Sequence, residues 1–131
     1  MPEDNTWKTD LLAEFEMITT DDAARILDAD QAAVQAAHER GDLLGYCKRD
    51  TGVWSWPAFQ FDRTNGCIRP EVQHGNQVML AAEDPWGVLA WWRTPNSFIR
   101  GDLSPIDLVK RDDLTAGEVE ELITIQFFTH P

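Results

Sequence analysis

The first apolar pattern in the chain has the period of a helix. It begins at Thr6, whose hydroxyl can cap a helix, and extends to about Met17. Side chains three or four positions apart lie on one face of a helix. The apolar residues at this spacing are Trp7, Leu11, Leu12, Phe15 and Ile18. We therefore expect an amphipathic first helix with an acidic outer face.

Two short helices are predicted next, separated by a turn. Thr19 or Thr20 can cap the first of them, and an aspartate in the turn can cap the second. The second extends from Gln31 to about Arg40, and Gly41 follows at the position where helices commonly end in the left-handed conformation. Alanines dominate the inward faces, so the two helices can cross closely.

Strand-like residues replace the helical period after this point. The runs 43–48 and 53–56 are apolar and aromatic, and Arg49-Asp50-Thr51-Gly52 between them is typical of a tight turn. Two short helices followed by a hairpin are the pattern of a winged helix-turn-helix. In such a module the second helix would face base edges and the hairpin would face phosphates. The residues assigned to DNA contact are Gln31, Gln35, Arg40, Lys48 and Arg49.

Three helix starts are marked clearly in the second half of the chain. Asp84-Pro85 and Ser104-Pro105 each place a capping side chain before a proline in the first turn, and Thr115-x-x-Glu118 has the spacing of a capping box. A weaker helix is predicted from about Glu71 to Ala82. A break near Gly75 is as plausible as continuity, because a glycine inside a helix costs about 1 kcal/mol.

The order of motifs in this half resembles the toxin-binding domain of the Xre/MbcA/ParS class of antitoxins. The most specific motifs are Thr94-Pro95-Asn96, after a tryptophan-rich helix, and Gly101-x-x-Ser104-Pro105-x-Asp107-Leu108. The resemblance covers roughly residues 56–128. It implies a helical domain that forms dimers or larger oligomers and covers the active site of a partner toxin, of the NAD-consuming RES type or the ParT-like ADP-ribosyltransferase type.

The N-terminal half is similar to the winged helix of excisionase and MerR-like proteins. Thr20-x-x-x-Ala24-x-x-Leu27, Gly41-Asp42-Leu43-Leu44 and a hairpin ending at Trp56-Pro57 account for this similarity. The expected fold is therefore mainly α. It comprises a winged helix-turn-helix module with a small β-hairpin over residues 1–56 and a helical toxin-binding-like domain over residues 57–131.

Consecutive aromatic residues at helical spacing most often belong to a core, but two adjacent tryptophans do not both point inward along one line. Large exposed aromatic groups tend to mark interfaces. The resemblance implies a toxin-binding surface or oligomer interface in the same half of the chain. We assign to it Trp92, Asn96, Phe98, Ser104, Asp107, Phe127 and Phe128.

The charge of the chain bears on its partners. Eleven Lys and Arg residues face 23 Asp and Glu residues, a net charge of −12, which on average repels nucleic acid and anionic membranes. Residues 1–30 carry −7, residues 31–70 carry +1 and residues 71–131 carry −6. Only the middle segment is suited to approach DNA, and even there the balance is small.

No catalytic or metal-binding motif is present. The histidines are scattered, Cys47 and Cys67 lie outside any Cys-x-x-Cys pair, and no carboxylate pair stands out as acid and base. We expect no cofactor, no enzymatic activity, no membrane association and a cytoplasmic location.

These observations together predict an antitoxin that binds and occludes a cognate toxin, works as a homodimer and represses its own promoter. The alternative is a DNA-binding transcriptional regulator of the excisionase or MerR-like kind, whose C-terminal half only dimerises.

Overall fold

The computed structural model describes residues 6–128. Within them the chain forms seven α-helices and two small antiparallel sheets, so the class is mixed α and β. The helices are α1 (Thr6–Ala13), α2 (Thr20–Leu27), α3 (Gln31–Glu39), α4 (Pro70–Val78), α5 (Pro85–Arg93), α6 (Pro105–Lys110) and α7 (Ala116–Phe128). The strands are β1 (Met17–Thr19), β2 (Tyr46–Cys47), β3 (Trp54–Pro57), β4 (Phe61–Asp62) and β5 (Cys67–Ile68).

The expected class, a mainly α protein with a winged helix-turn-helix and a helical second domain, is wrong. The predicted hairpin is part of a three-stranded sheet in the order β1-β3-β2, with β3 at its centre. A second sheet pairs β4 with β5, inside the segment assigned to the helical domain. The pairing of β1 with β3 and of β4 with β5 was not predicted from the apolar pattern of the sequence.

The first helix is shorter than predicted, and this is one source of the error. It ends at Ala13, and Met17 to Thr19 form β1 instead. Ile18 lies opposite Trp56 in the central strand, where it is buried. The Trp56 indole N–H donates to the Thr20 hydroxyl at 2.9 Å and fixes the junction between β1 and α2. Pairing with a strand far along the chain therefore overrides the local apolar pattern.

The predicted starts of α2, α3, α5, α6 and α7 are confirmed by capping hydrogen bonds. At each of these five starts a side-chain oxygen accepts from a backbone N–H of the first turn, which has no partner within the helix. Among the described residues no such cap is shown for α1, which already includes Thr6, and the start of α4 has none. The Ser104 and Thr115 caps are reciprocated by an acid three residues later, forming two capping boxes. The five capping residues are Thr19, Asp30, Asp84, Ser104 and Thr115.

Buried amides connect the two halves of the chain. The Gln60 side chain exchanges hydrogen bonds with the backbone of Leu44, accepting from its N–H at 2.7 Å and donating to its carbonyl at 2.9 Å. The Asn76 amide nitrogen donates to the Gln60 side-chain oxygen and to the Asp42 carbonyl, each at 3.1 Å. The Trp92 indole then donates to the Asn76 oxygen at 3.0 Å. Gln60, Asn76 and Trp92 are all fully buried.

The apolar core follows the same connection. One cluster packs Leu44 and Tyr46, from the first half, against Trp92 and Val119 from the second. The other cluster lies around α2, α3 and β3 and includes Phe61. Both clusters therefore draw on residues from each side of position 56, and the division of the chain into two domains there stays a prediction. None of the helices in residues 6–128 is long and apolar enough to cross a lipid bilayer.

Gly75 lies within α4 and does not break it. The helix needs a glycine at this position in order to pack against its neighbours. A Cβ atom at this position would lie 2.7 Å from the Trp92 ring and 2.8 Å from a Val119 methyl carbon. These distances are well inside van der Waals contact, so the absent side chain is what lets α4 approach both α5 and α7.

Gly75→Ala tests this close approach. Alanine favours helix by about 1 kcal/mol over glycine, yet we expect overpacking to dominate and the free energy of unfolding to fall by about 1–3 kcal/mol. Gly117→Ala in α7 is the matched control, because its nearest neighbour would be 4.0 Å away. Urea unfolding of both variants should show a loss for the first only; equal stability of the two would contradict the packing argument.

Asn76→Ala tests the buried amides. The substitution leaves the Trp92 indole N–H and part of the Gln60 and Asp42 hydrogen-bonding capacity without partners, and each buried polar group so treated costs about 1–3 kcal/mol. We expect a total loss of at least about 3 kcal/mol in unfolding free energy. Gln31→Ala on the exposed face of α3 should change stability by less than about 0.5 kcal/mol. A loss of that small size in Asn76→Ala would refute the network's structural role.

Candidate functional site

An apolar groove opens on the surface between α4, α5 and α7. Its volume is about 430 Å³, which lies within the ~300–1,000 Å³ of ordinary binding pockets. Its lining residues come from the end of α4, the groove-facing side of α5 and the C-terminal half of α7. They are Val78, Met79, Asp84, Gly87, Val88, Trp91, Ile123 and Phe127.

Helical spacing produces this lining. Val88 and Trp91 lie three residues apart on α5, and Ile123 and Phe127 lie four apart on α7, so each pair projects from one side of its helix. The Trp91 indole N–H is satisfied within the protein, donating to the Gln126 side-chain oxygen at 2.8 Å. Because this polar atom has a partner, the ring presents apolar surface to the groove.

Gln126 also joins the groove to the loop that follows α5. Its side-chain oxygen accepts a second hydrogen bond, from the Asn96 amide at 3.2 Å. The Asn96 oxygen in turn accepts from the backbone N–H of Phe98 at 2.9 Å. This chain of hydrogen bonds connects Asn96 and Phe98 with the end of α7 that carries Phe127. Three of the residues assigned to the partner surface are therefore brought to one end of the molecule.

Large apolar side chains are exposed around this end. Phe127 is 55% exposed and Phe98 is 49% exposed. Leu80, next to the groove residue Met79, is 58% exposed. The predicted helix over residues 71–82 used Leu80 as one of its apolar positions, and the structure exposes it instead. An apolar groove with a large exposed side chain, Phe127, in its lining is typical of sites that bind another protein.

Leu80 also has an unusual backbone conformation. Its φ angle is +58°, in the left-handed region that favours glycine. A leucine there costs roughly 1–2 kcal/mol and gains little from burial in the folded chain. This conformation ends α4, since the Leu80 N–H donates to the Gln77 carbonyl and the Ala81 N–H donates to the Asn76 carbonyl.

One acid lies at the groove. Of the described residues that line it, Asp84 alone is charged. A complementary ligand is consequently apolar over most of its contact surface, with room for one basic group beside Asp84.

The remaining residues assigned to the partner surface are placed elsewhere. Trp92 is fully buried and bonded to Asn76, so its assignment to a surface is wrong; Trp91, buried but lining the groove, takes that position. Ser104 and Asp107 form the capping box of α6. The backbone N–H of Ser104 donates to the Asp107 carboxylate at 2.9 Å and lowers the pKa of that group. Phe128 is the last residue of α7, and its side chain lies outside the described part of the structure.

The residues assigned to DNA contact present little free positive charge. Gln31 and Gln35 lie one turn apart on α3, the first exposed and the second half-buried. The Arg40 guanidinium donates twice to the buried Asp42 carboxylate, at 3.1 and 3.2 Å. Only Lys48 and Arg49, both exposed in the turn after β2, stand without an ion pair in this set, as far as the described residues go.

No metal site is formed by the described residues, which contain no cluster of three or more His, Cys, Asp or Glu side chains suited to hold an ion. Comparison with models of known protein families, with curated proteins and with solved structures gives no match.

Leu80→Gly tests the strained conformation beside the groove. Relief of the left-handed leucine should stabilise the fold by about 1 kcal/mol, which raises Tm by about 3–6 °C in a domain of this size. Ala82→Gly, an exposed neighbour without a positive φ, should instead lose about 0.5–1 kcal/mol through unfolded-chain entropy. A loss in both variants, measured by thermal unfolding, would mean that Leu80 is not strained.

Proposed function

We propose that this chain is an antitoxin that binds its cognate toxin through the groove between α4, α5 and α7 and acts stoichiometrically, without catalysis of its own. The observation that carries the proposal is the open apolar groove with the half-exposed Phe127 in its lining. The sequence resemblance to toxin-binding domains in residues 56–128 supports the same assignment, since the groove is built wholly from that part of the chain.

The groove suits a peptide segment better than a small polar substrate. Its lining is apolar except for Asp84, and it is open along the surface between three helices. An amphipathic helix or strand that places two or three apolar side chains in it would leave its polar side in solvent. The −6 charge of residues 71–131 favours a partner segment with basic flanks, and opposite charge accelerates encounter.

A toxin bound here would be inhibited by occlusion. The toxin would contribute an apolar segment to the groove. If that segment lies beside the toxin's substrate entrance, the bound antitoxin blocks the entrance. Burial of a few anchor residues supplies most of the binding energy in interfaces of this kind. Phe127 is the exposed anchor offered by this chain, and Trp91 forms part of the groove wall.

DNA binding has weaker support. Arg40 is held by Asp42, and the acids Asp28, Asp30, Glu39 and Asp50 flank the remaining residues assigned to it. The structure offers no observation that favours this alternative over protein binding.

The experiment is co-purification with the product of the adjacent reading frame, followed by assay of that product's activity and of growth arrest in cells. We expect a complex that silences the activity. Phe127→Ala should weaken it by about 30-fold or more, as expected for loss of an interface anchor worth about 2 kcal/mol. Val53→Ala removes a similarly exposed apolar side chain on the hairpin turn and should leave binding unchanged.

Three outcomes would overturn the proposal. Equal binding by Phe127→Ala and the unmodified chain would remove the groove from the interface. A shift from dimer to monomer in Phe127→Ala, without any toxin binding, would assign the groove to a second copy of this chain. Failure to bind the adjacent product, together with salt-dependent binding to promoter DNA that Lys48→Ala and Arg49→Ala weaken, would favour the transcriptional regulator.

A further inference from the structure

A second cavity lies on a different side of α5. It is a cleft of about 540 Å³ between the segment joining α1 to β1, the strand β4 and the helix α6. It shares no lining residue with the apolar groove among the residues described. Its lining combines aromatic and charged groups. It includes Ser104 and Asp107 of the assigned partner surface but none of the residues assigned to DNA contact.

Positive charge is concentrated in this cleft. Arg63, Arg69, Arg93 and Lys110 all line it, which is four of the 11 Lys and Arg residues in a chain of net charge −12. They come from four separate segments, so their convergence is a product of folding. Four carboxylates also line the cleft, so its cations and acids balance there, in a chain whose net charge is −12.

Two of the four acids in the cleft are held by hydrogen bonds in local turns. Asp62 accepts from the Asn65 side-chain amide and from the backbone N–H groups of Asn65 and Thr64, and these hydrogen bonds lower its pKa. Asp107 belongs to the capping box of α6. The charge of Arg69 also lowers the pKa of Asp62, and the charge of Lys110 lowers that of Asp107, so these two acids offset part of the positive charge of the cleft.

The other two acids pair with arginines across the cleft. Glu16 lies 3.1 Å from Arg63, and Glu14 lies 3.3 Å from Arg93. All four side chains are substantially exposed, and exposed ion pairs of this kind contribute only about 0–1 kcal/mol. An incoming anion can therefore displace either carboxylate from its arginine at little cost in free energy. Until then, Glu14 and Glu16 compete with the anion for Arg93 and Arg63.

An aromatic surface lies between these two ion pairs. Phe15 separates Glu14 from Glu16 in sequence, and its ring packs against Phe59 with centroids 5.9 Å apart. Both rings are only half-buried and both line the cleft. Phe59 is held from behind by Trp92, with ring centroids 5.8 Å apart. A planar ring entering the cleft would find aromatic faces to stack on, with two arginines at its edge.

We propose that this cleft binds a small aromatic anion, a planar ring carrying a carboxylate or a phosphate. The ring packs on Phe15 and Phe59, and the anion takes the places of the Glu14 and Glu16 carboxylates on Arg93 and Arg63. Bidentate guanidinium contact with a carboxylate or phosphate supplies the orientation. Lys110 adds positive charge to the same cavity, whereas Arg69 is paired with Asp112 at 2.9 Å.

The test uses phenyl phosphate and benzoate as probes, with benzyl alcohol and benzylamine as the neutral and cationic counterparts. Binding is followed by backbone amide shifts on the full chain. We expect both anions to shift amides of Phe15 and Phe59 and to bind at least about ten-fold more tightly than benzyl alcohol, a difference of about 1.4 kcal/mol. The stronger of the two anions identifies the headgroup.

Paired variants give effects of opposite sign. Arg93→Gln should weaken the better anion about ten-fold, whereas Glu14→Gln combined with Glu16→Gln should tighten it several-fold, because the competing carboxylates are gone. Arg25→Gln is the matched control, since Arg25 forms an exposed ion pair with Asp21 on α2, away from the cleft. All these side chains are exposed, and circular dichroism verifies that each variant is folded.

Several results would overturn the proposal. They are equal affinity for phenyl phosphate and benzyl alcohol, shifts confined to Trp91 and its neighbours in the groove, weaker binding by the double glutamate variant, or equal losses in Arg93→Gln and Arg25→Gln. The variants leave the groove intact, so toxin binding and anion binding are separable in the same set of proteins.

Discussion

The Asn76 side chain is the point on which the arrangement of this protein depends. Its amide nitrogen donates to Asp42 and Gln60, and its oxygen accepts from the Trp92 indole. Gln60 uses both side-chain N–H groups and accepts twice, so its hydrogen-bonding capacity is filled. Buried amides are costly unless they are satisfied in this way. Only one relative placement of the first half of the chain, α4 and α5 satisfies all of these groups together.

Fixing Trp92 also fixes the rotation of α5 about its axis. The side of the helix carrying Leu89 and Trp92 faces the core, and the side carrying Val88 and Trp91 then faces the groove. Gly75 makes this possible, because a larger residue would push Trp92 away from α4. Two adjacent tryptophans thus differ in role, one as a structural hydrogen-bond donor and the other as the wall of a surface site.

The sequence predicted those features of the fold that depend on residues close together in the chain. Prolines in the first turn and capping side chains marked the starts of α5, α6 and α7, because a cap involves residues only three apart. The strand β1 was not predictable in this way. Met17 and Ile18 fit the stripe of the first helix and Thr19 fits the cap of the next one, whereas their strand partner β3 lies far along the chain. The resulting fold is a mixed α and β structure, in which the predicted hairpin gains a third strand.

The candidate site was predictable only in part, for the same reason. Phe127 and Asn96 were identified from residue type and motif, yet the residue that joins them, Gln126, has no distinctive local pattern. Leu80 follows two apolar residues and suggested a continued helix, whereas the chain turns there with a positive φ. Trp91 and Trp92 are indistinguishable by composition. Their roles are assigned by Asn76, a polar residue within a helix whose partners all lie on other elements.

The two surface cavities have opposite chemistry, and both depend on α5. Val88 and Trp91 supply the apolar groove, and Arg93 supplies a cation to the cleft. Successive residues of a helix are separated by about 100° of rotation, so these faces and the buried face between them are set by a single angle. A rotation that turned Trp91 away from the groove would also withdraw Arg93 from Glu14. The hydrogen bond from Trp92 to Asn76 opposes that rotation, and through it one buried amide maintains both an apolar surface suited to a protein and an aromatic cavity with arginines suited to a small anion.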